Sequence, residues 1–140
     1  MPRLTYLDIS NNKLTGTLPH SIANLSKVWF FVVRNNYLNG TIPAEFGDMS
    51  ALAYTHLSLN SFNGTIPMAL SKLTKLYYLS FRCNFLSCPI PAYFGDFTLF
   101  QQLSLYNNSL TGTIPNTLTK LKKLSILLLH QNRLHGECSY

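Results

Sequence analysis

Apolar and polar residues alternate along this chain in short blocks. Leu7-Asp8-Ile9 sets a polar residue between two apolar ones, the two-residue period of a strand with one buried face. Phe31-Val32-Val33, Leu79-Ser80-Phe81 and Leu103-Ser104-Leu105 occupy equivalent places further on and predict the same short element. Between the blocks lie apolar pairs three residues apart: Ile22/Leu25, Phe46/Met49, Leu70/Leu73, Phe94/Phe97 and Leu118/Leu121. That spacing predicts a helical or 3₁₀ turn with one buried side. The longest apolar runs are strand-sized, well short of the ~20 residues a membrane-spanning helix needs.

The blocks are entries in a repeat. Asn12, Asn36, Asn60, Asn84, Asn108 and Asn132 fall 24 residues apart without a slip. Leu14, Leu38, Phe62, Leu86, Leu110 and Leu134 follow each of them two positions later. Gly16, Gly40, Gly64, Gly112 and Gly136 come two positions after that, with Cys88 in the place of the missing glycine. Pro19, Pro43, Pro67, Pro91 and Pro115 close the unit, each after Leu or Ile. A unit this short cannot bury its apolar side alone and must stack on its neighbours. Stacked strands pair in parallel ~4.8 Å apart, so six coils predict a solenoid ~30 Å long. The recurrent Asn sits among buried Leu positions and is expected to point inward, its amide bonding turn backbone of its own and adjacent coils.

The string Leu14-Thr15-Gly16-Thr17-Leu18-Pro19 and its copy Leu110-Thr111-Gly112-Thr113-Ile114-Pro115 resemble the plant-type leucine-rich repeat, LxxLxLxxNxLxGxIPxxLxxLxx. The resemblance covers Leu4 to Tyr140 as repeats 4–27, 28–51, 52–75, 76–99 and 100–123 with a partial repeat 124–140, one domain over the chain. It implies an α/β solenoid: a horseshoe with a parallel β-sheet on its concave face and 3₁₀ or short helical turns on the convex side. Proteins with this motif include ectodomains of receptor-like kinases and receptor-like proteins, polygalacturonase inhibitors and protist surface antigens. The resemblance therefore implies extracellular recognition and no enzyme. Its terminal cysteines belong to paired capping motifs, which would be the role of Cys138.

In such a horseshoe the outward residues of each strand line the concave wall. The first outward column reads Tyr6, Phe30, Tyr54, Tyr78, Gln102 and Ile126, the second Asp8, Val32, His56, Ser80, Ser104 and Leu128. The third reads Ser10, Arg34, Ser58, Arg82, Tyr106 and His130, the fourth Asn11, Asn35, Leu59, Cys83, Asn107 and Gln131. Aromatic residues and Arg are enriched at binding hot spots. The expected ligand surface is Tyr6, Asp8, Trp29, Phe30, Arg34, Tyr54, His56, Tyr78, Arg82 and Tyr106, open to a protein, peptide or glycan. Aromatics also suit strands for packing reasons alone, which leaves a second reading of the same column.

Composition follows from the repeat: the columns account for most of the 25 Leu and 13 Asn, and only 11% of residues are charged. The net charge of +6 says little about partners. Lys27, Lys72, Lys75, Lys120, Lys122 and Lys123 fall between a Pro and the next strand, on the side or back of the coil, without the aromatic interleaving of a nucleic-acid site. These lysines belong to repeats 1, 3 and 5, whereas repeats 2 and 4 carry Pro43-Ala44-Glu45-Phe46-Gly47-Asp48 and Pro91-Ala92-Tyr93-Phe94-Gly95-Asp96, a two-repeat alternation.

Catalytic chemistry finds no pattern here. Of Asp8, Glu45, Asp48, Asp96 and Glu137 only Asp8 lies in a concave column, so a carboxylate pair flanking one bond is missing. Cys83 and His130 are two coils apart, about 10 Å, which argues against a metal set. Neither metal nor cofactor is expected, and the four His are expected at the surface. A Cys83–Cys88 disulfide stays open; it would need Cα atoms roughly 4.4–6.8 Å apart. Asn24, Asn39, Asn63 and Asn107 head N-x-Ser/Thr sequons and are candidates for N-glycosylation. They favour a secreted or cell-surface parent, with any membrane contact made by segments outside this sequence. The chain opens directly into a repeat and stops within another, so it is expected to be a fragment lacking caps. Two functions remain: a receptor ectodomain portion, or a non-signalling secreted or anchored protein such as an inhibitor or surface antigen.

Overall fold

Each 24-residue unit folds into one coil with a strand, a corner and a 3₁₀ turn, and the first four add a second short strand after the corner. The computed structural model describes residues 3–136. The concave sheet contains β1 (Tyr6–Asp8), β3 (Phe30–Val32), β5 (Tyr54–His56), β7 (Tyr78–Ser80), β9 (Gln102–Ser104) and β10 (Ile126–Leu128), all parallel and paired in chain order. Its register is the repeat itself: Tyr6 opposes Phe30, Phe30 opposes Tyr54, Tyr54 opposes Tyr78, Tyr78 opposes Gln102 and Gln102 opposes Ile126. The 3₁₀ turns η1 (His20–Asn24), η2 (Ala44–Asp48), η3 (Met68–Lys72), η4 (Ala92–Asp96) and η5 (Asn116–Lys120) form the convex side. Each starts behind its proline, which holds φ between −63° and −74° and lends its carbonyl to the residue three further on. Their inward residues Ile22, Phe46, Leu70, Phe94 and Leu118 are buried in one continuous core.

The coils are tied together at the corner by the Asn column. Asn60 Nδ2 donates to Val33 O of the coil before (3.0 Å) and to Leu57 O of its own coil (3.2 Å), while its Oδ1 accepts from Leu38 N (3.1 Å). Asn36, Asn84, Asn108 and Asn132 repeat the pattern. Asn12, in the first coil, reaches only its own coil's Ile9 and Ser10 carbonyls.

The fourth outward column is not part of the concave wall. Asn11, Asn35, Leu59, Cys83, Asn107 and Gln131 all adopt φ of 54–57°, the left-handed conformation that swings the chain off the sheet. Asn tolerates that conformation and here also links coils, Asn35 Nδ2 donating to Asn11 Oδ1 at 3.0 Å. Leu59 and Cys83 hold it without that advantage.

A second parallel sheet, which the sequence pattern does not predict, follows the corner: β2 (Thr15–Thr17), β4 (Tyr37–Thr41), β6 (Ser61–Gly64) and β8 (Phe85–Leu86). Its register is two residues short of the repeat, Thr15 opposing Tyr37 and Asn63 opposing Phe85, so it runs obliquely to the first. Gly40 and Gly64 sustain it at φ of 73° and 71°, where a Cβ would also stand 2.8 Å and 3.0 Å from the threonine methyl of the preceding coil. Cys88 breaks the glycine column. The sheet ends with β8, and beyond it a lone Pro89–Thr111 bridge remains. The Cys88 thiol turns into the core and accepts from Ile66 N (3.4 Å), while Cys83 Sγ accepts from Asn107 Nδ2 (3.4 Å). Both are free thiols, which closes the disulfide alternative. Cys138 and Glu137 lie outside the described residues.

The two-repeat alternation has a steric cause. A Cβ on Gly47 would stand 2.2 Å from Ala69 O, and one on Gly95 2.3 Å from Thr117 O, so η2 seats directly on η3 and η4 on η5. Lys72–Asp48 (2.8 Å) and Lys120–Asp96 (3.9 Å) lie beside those contacts. Looking backward, Tyr93 Oη donates to Pro67 O (2.8 Å) and Glu45 pairs with His20 (2.9 Å).

Thermal denaturation checks the corner in both directions. Asn60→Leu strands Leu38 N–H and the carbonyls of Val33 and Leu57, and is expected to cost about 3 kcal/mol. Leu59→Asn relieves a left-handed leucine and is expected to raise stability by about 1 kcal/mol.

Candidate functional site

The first outward column folds into a stack of four rings. Tyr6 lies 4.2 Å from Phe30, Phe30 4.5 Å from Tyr54 and Tyr54 4.1 Å from Tyr78, with planes within 10° of parallel. The strand register carries successive rings at nearly the separation that offset stacking prefers. Trp29 meets Tyr6 and Phe30 edge-on, and Tyr77 tilts against Tyr54. The packing reading of this column holds. The rings pack on one another along the sheet, and their edges still face the concave side, with Tyr6 and Trp29 50% and 43% exposed. The stack ends at Gln102. Tyr106, four residues beyond, stacks instead on His130 at 4.3 Å.

Burial divides the second and third columns. Val32, Ser80 and Ser104 point to the concave side yet are buried, and Ser58 lies buried with its hydroxyl 2.7 Å from that of Ser80. Above this small-residue floor stand His56, Arg34 and Arg82. Arg82 Nη1 donates to Tyr106 Oη, and its guanidinium carbon is 5.4 Å from the Tyr106 ring centroid. Asp8 lies at the far end of the column. The Ser10 hydroxyl and backbone N–H bond its carboxylate and hold its pKa below the usual carboxylate value. Burial pushes the Tyr54 hydroxyl pKa up, with the Tyr78 hydroxyl adding to the shift.

His56 is half-buried, which corrects the expectation that every His is a surface residue. Burial, with the nearby Arg34 and Arg82 charges, lowers its pKa to about 4 against a small opposing pull from Asp8. The imidazole is therefore neutral at physiological pH. His20, His130 and His135 are exposed as expected.

The structure thus gathers Tyr6, Trp29, Phe30, Tyr54 and Tyr78 into one aromatic lane and His56, Arg82 and Tyr106 into one polar group beside it, with Arg34 on the other side of His56 and Asp8 at the far end. A depression of about 260 Å³ lies over the polar group, lined by His56, Tyr78, Ser80, Arg82, Gln102, Ser104, Tyr106 and Leu128. Sequence reasoning read Ser80, Ser104 and Gln102 only as column entries; small residues between large ones were the available signal. Among the described residues no three His, Cys, Asp or Glu side chains converge as metal ligands, and no helix is long and apolar enough to cross a membrane. Lys27, Lys72, Lys75, Lys120, Lys122 and Lys123 are exposed away from the concave columns, and the sequon residues Asn24, Asn39, Asn63 and Asn107 are exposed.

Comparison with known proteins places this geometry in a family. Residues 22–134 match the family model of the leucine-rich repeat domain of the EGF-like domain-containing protein ComC, and residues 3–25 match that of the Leucine Rich Repeat. The chain belongs to the leucine-rich repeat family. Over 51 residues it is 43% identical to the LRR receptor-like serine/threonine-protein kinase EFR of Arabidopsis thaliana, an alignment covering 36% of this chain and 5% of that protein. The crystal structure of a TDR receptor superposes with a TM-score of 0.91 at 36% identity, over 94% of this chain and 23% of that one. The Arabidopsis receptor kinase HAESA, solved with the peptide hormone IDA and the co-receptor SERK1, superposes with a TM-score of 0.78 at 30% identity, over 96% of this chain and 26% of that one. The chain therefore spans about a quarter of those two structures and a small part of EFR.

The lowered pKa of His56 predicts an acid-sensitive stability. The unfolded imidazole titrates near 6.5, roughly its ordinary value. The unfolded chain therefore takes up this proton first, and stability present above that pH is lost as pH falls toward about 4. Melting temperatures between pH 7 and pH 4 should fall more steeply for the native chain than for His56→Gln; parallel profiles would contradict a buried neutral imidazole.

Proposed function

We propose that this chain is part of the ligand-binding ectodomain of a cell-surface receptor-like kinase or receptor-like protein, and that it recognises a peptide or protein on its concave face without catalysis. The observation that carries the reading is the lane of Tyr6, Phe30, Tyr54 and Tyr78, flanked by Trp29 and lying beside Arg34 and Arg82. Its rings are immobilised by one another, so contact with a partner costs little side-chain entropy. The stacked faces are occupied within the lane. Between the ends of the lane a ligand therefore meets ring edges and the Tyr54 hydroxyl, which favours peptide groups there over sugar rings that need an open aromatic face.

The likeness to receptor ectodomains, one of them crystallised with a peptide hormone, supports this reading over an inhibitor or a surface antigen. The exposed sequons at Asn24, Asn39, Asn63 and Asn107 fit passage through a secretory route. The lysines of the convex side take no part in recognition, and nucleic acid is not a partner.

Selection of a displayed peptide library on the immobilised chain tests the proposal. Binders should lose about tenfold or more in affinity, about 1.4 kcal/mol, with Trp29→Ala or Tyr54→Ala. They should be unaffected by Met68→Ala on the convex side, where Met68 is exposed. Circular dichroism would verify the fold of each variant. Binding indifferent to both aromatic substitutions would sink the concave reading.

A further inference from the structure

The second sheet has an outer face that the concave site does not use. Side chains alternate along its strands, so Tyr37, Asn39 and Thr41 of β4 are exposed while Leu38 between them is buried. Asn63 of β6 and Phe85 of β8 are exposed on the same face. Tyr37 and Phe85 are 61% and 62% exposed. Neither ring meets another aromatic among the described residues. One coil on, Ser61 and Ser109 stand in their places, so the coil itself does not require a ring there.

Each of these rings stands beside an asparagine that heads a sequon. Tyr37 comes two residues before Asn39 on one strand, so both side chains leave the same face about 7 Å apart at the backbone. Phe85 is the direct partner of Asn63 on the neighbouring strand, about 4.8 Å away. The sequon threonines Thr41 and Thr65 are exposed with them. The remaining neighbours are small: Asn39 lies between Thr17 and Ser61, and Asn63 has Thr41 on its other side. Asn107 differs, since its amide nitrogen is engaged with Cys83 Sγ at 3.4 Å.

We infer that Asn39 and Asn63 carry N-linked glycans whose first sugars pack on Tyr37 and Phe85, so that the chain's own carbohydrate covers the outer face of the second sheet. The inference rests on the cell-surface setting of the proposed function and is independent of recognition on the concave face. Transfer joins the Asn Nδ2 to the anomeric carbon of an N-acetylglucosamine. The bond from that carbon to the diphosphate of a lipid-linked oligosaccharide breaks, and the amide proton leaves with the diphosphate. The new linkage holds the first sugar close to the strand, where its C–H groups meet the electron-rich face of the adjacent ring. Covering that face also removes aromatic carbon from water. The outer sugars, bulky and well hydrated, then keep other proteins off this sheet.

The intact chain, directed through the secretory route of cultured plant cells, provides the test. Glycopeptide mass spectrometry should find both Asn39 and Asn63 occupied. After enzymatic trimming to the first sugar, the C–H proton resonances of those two sugars should lie upfield of their ordinary positions. The shift should vanish at Asn39 with Tyr37→Ser and at Asn63 with Phe85→Ser. Serine already fills this column at Ser61 and Ser109, so both variants keep the fold. Each should lower the melting temperature of the glycosylated chain by about 3 °C, and leave it unchanged once the matching Asn39→Gln or Asn63→Gln has removed the sugar. Both asparagines unoccupied in the secreted chain, or sugar resonances and melting temperatures indifferent to both ring substitutions, would overturn the inference. Self-association that depends on Tyr37 and Phe85 would also overturn it and assign the rings to a second copy. Sugar at Asn24 or Asn107 in any of those cases would leave the cell-surface setting standing while the aromatic platforms fell.

Discussion

A parallel stack of coils has an awkward place: the corner where each coil leaves one sheet for the next. Carbonyls of one coil and an N–H of the coil before it turn inward there, and neither sheet pairs them. A buried, unpaired backbone group is costly, so the stack requires an inserted side chain with donors and an acceptor in the right places. Asn supplies all three bonds from one planar amide: two carbonyls on its nitrogen side, one N–H on its oxygen side. Because one of those carbonyls and that N–H belong to the preceding coil, the amide sets the spacing between coils as well as the shape of one. The core of Phe46, Phe62, Phe81, Phe94 and their neighbours fills in behind it and adds most of the favourable burial.

The concave face inherits its order from that spacing. With coils held at one register, residues of one column stand over each other, and aromatic side chains in that column have little choice but to stack. Their hydrogen-bearing edges, which carry the positive end of the ring quadrupole, then line the groove. Arg34 and Arg82 extend the same sign of potential across the neighbouring columns. The groove is thus electrostatically consistent from lane to floor, although aromatic rings and guanidiniums are different chemistries.

What the sequence revealed tracks what repeats. The Asn column was legible because its hydrogen-bonding demand is identical in every coil, and the 3₁₀ turns because Pro and the inward pair recur with it. The second sheet was not legible: Thr15-Gly16-Thr17 and Tyr37–Thr41 show no clean alternation, and their pairing runs two residues off the repeat. The left-handed corner was hidden for another reason. Asn11 and Asn35 hint at it, but Leu59 and Cys83 in the same column conceal the preference. The floor of the groove could not be read either. Ser80 and Ser104 are polar and outward-facing, and only the bulk of the flanking columns buries them.

The seating of Gly47 on Ala69 and Gly95 on Thr117 gives the solenoid a natural length unit of two coils. Loss of coils 3 and 4 together would bring Asp48 against Lys120, a partner of the kind it already has. Loss of coil 3 alone would bring Asp48 against Asp96 and set Gly47 opposite Tyr93, a residue shaped to reach backward to Pro67. Recombination among copies of such a gene would therefore tolerate gains and losses in pairs and penalise single ones. Each paired step would lengthen the groove by about 10 Å, roughly three residues of an extended peptide. Ligand length and repeat number could then change together in discrete increments.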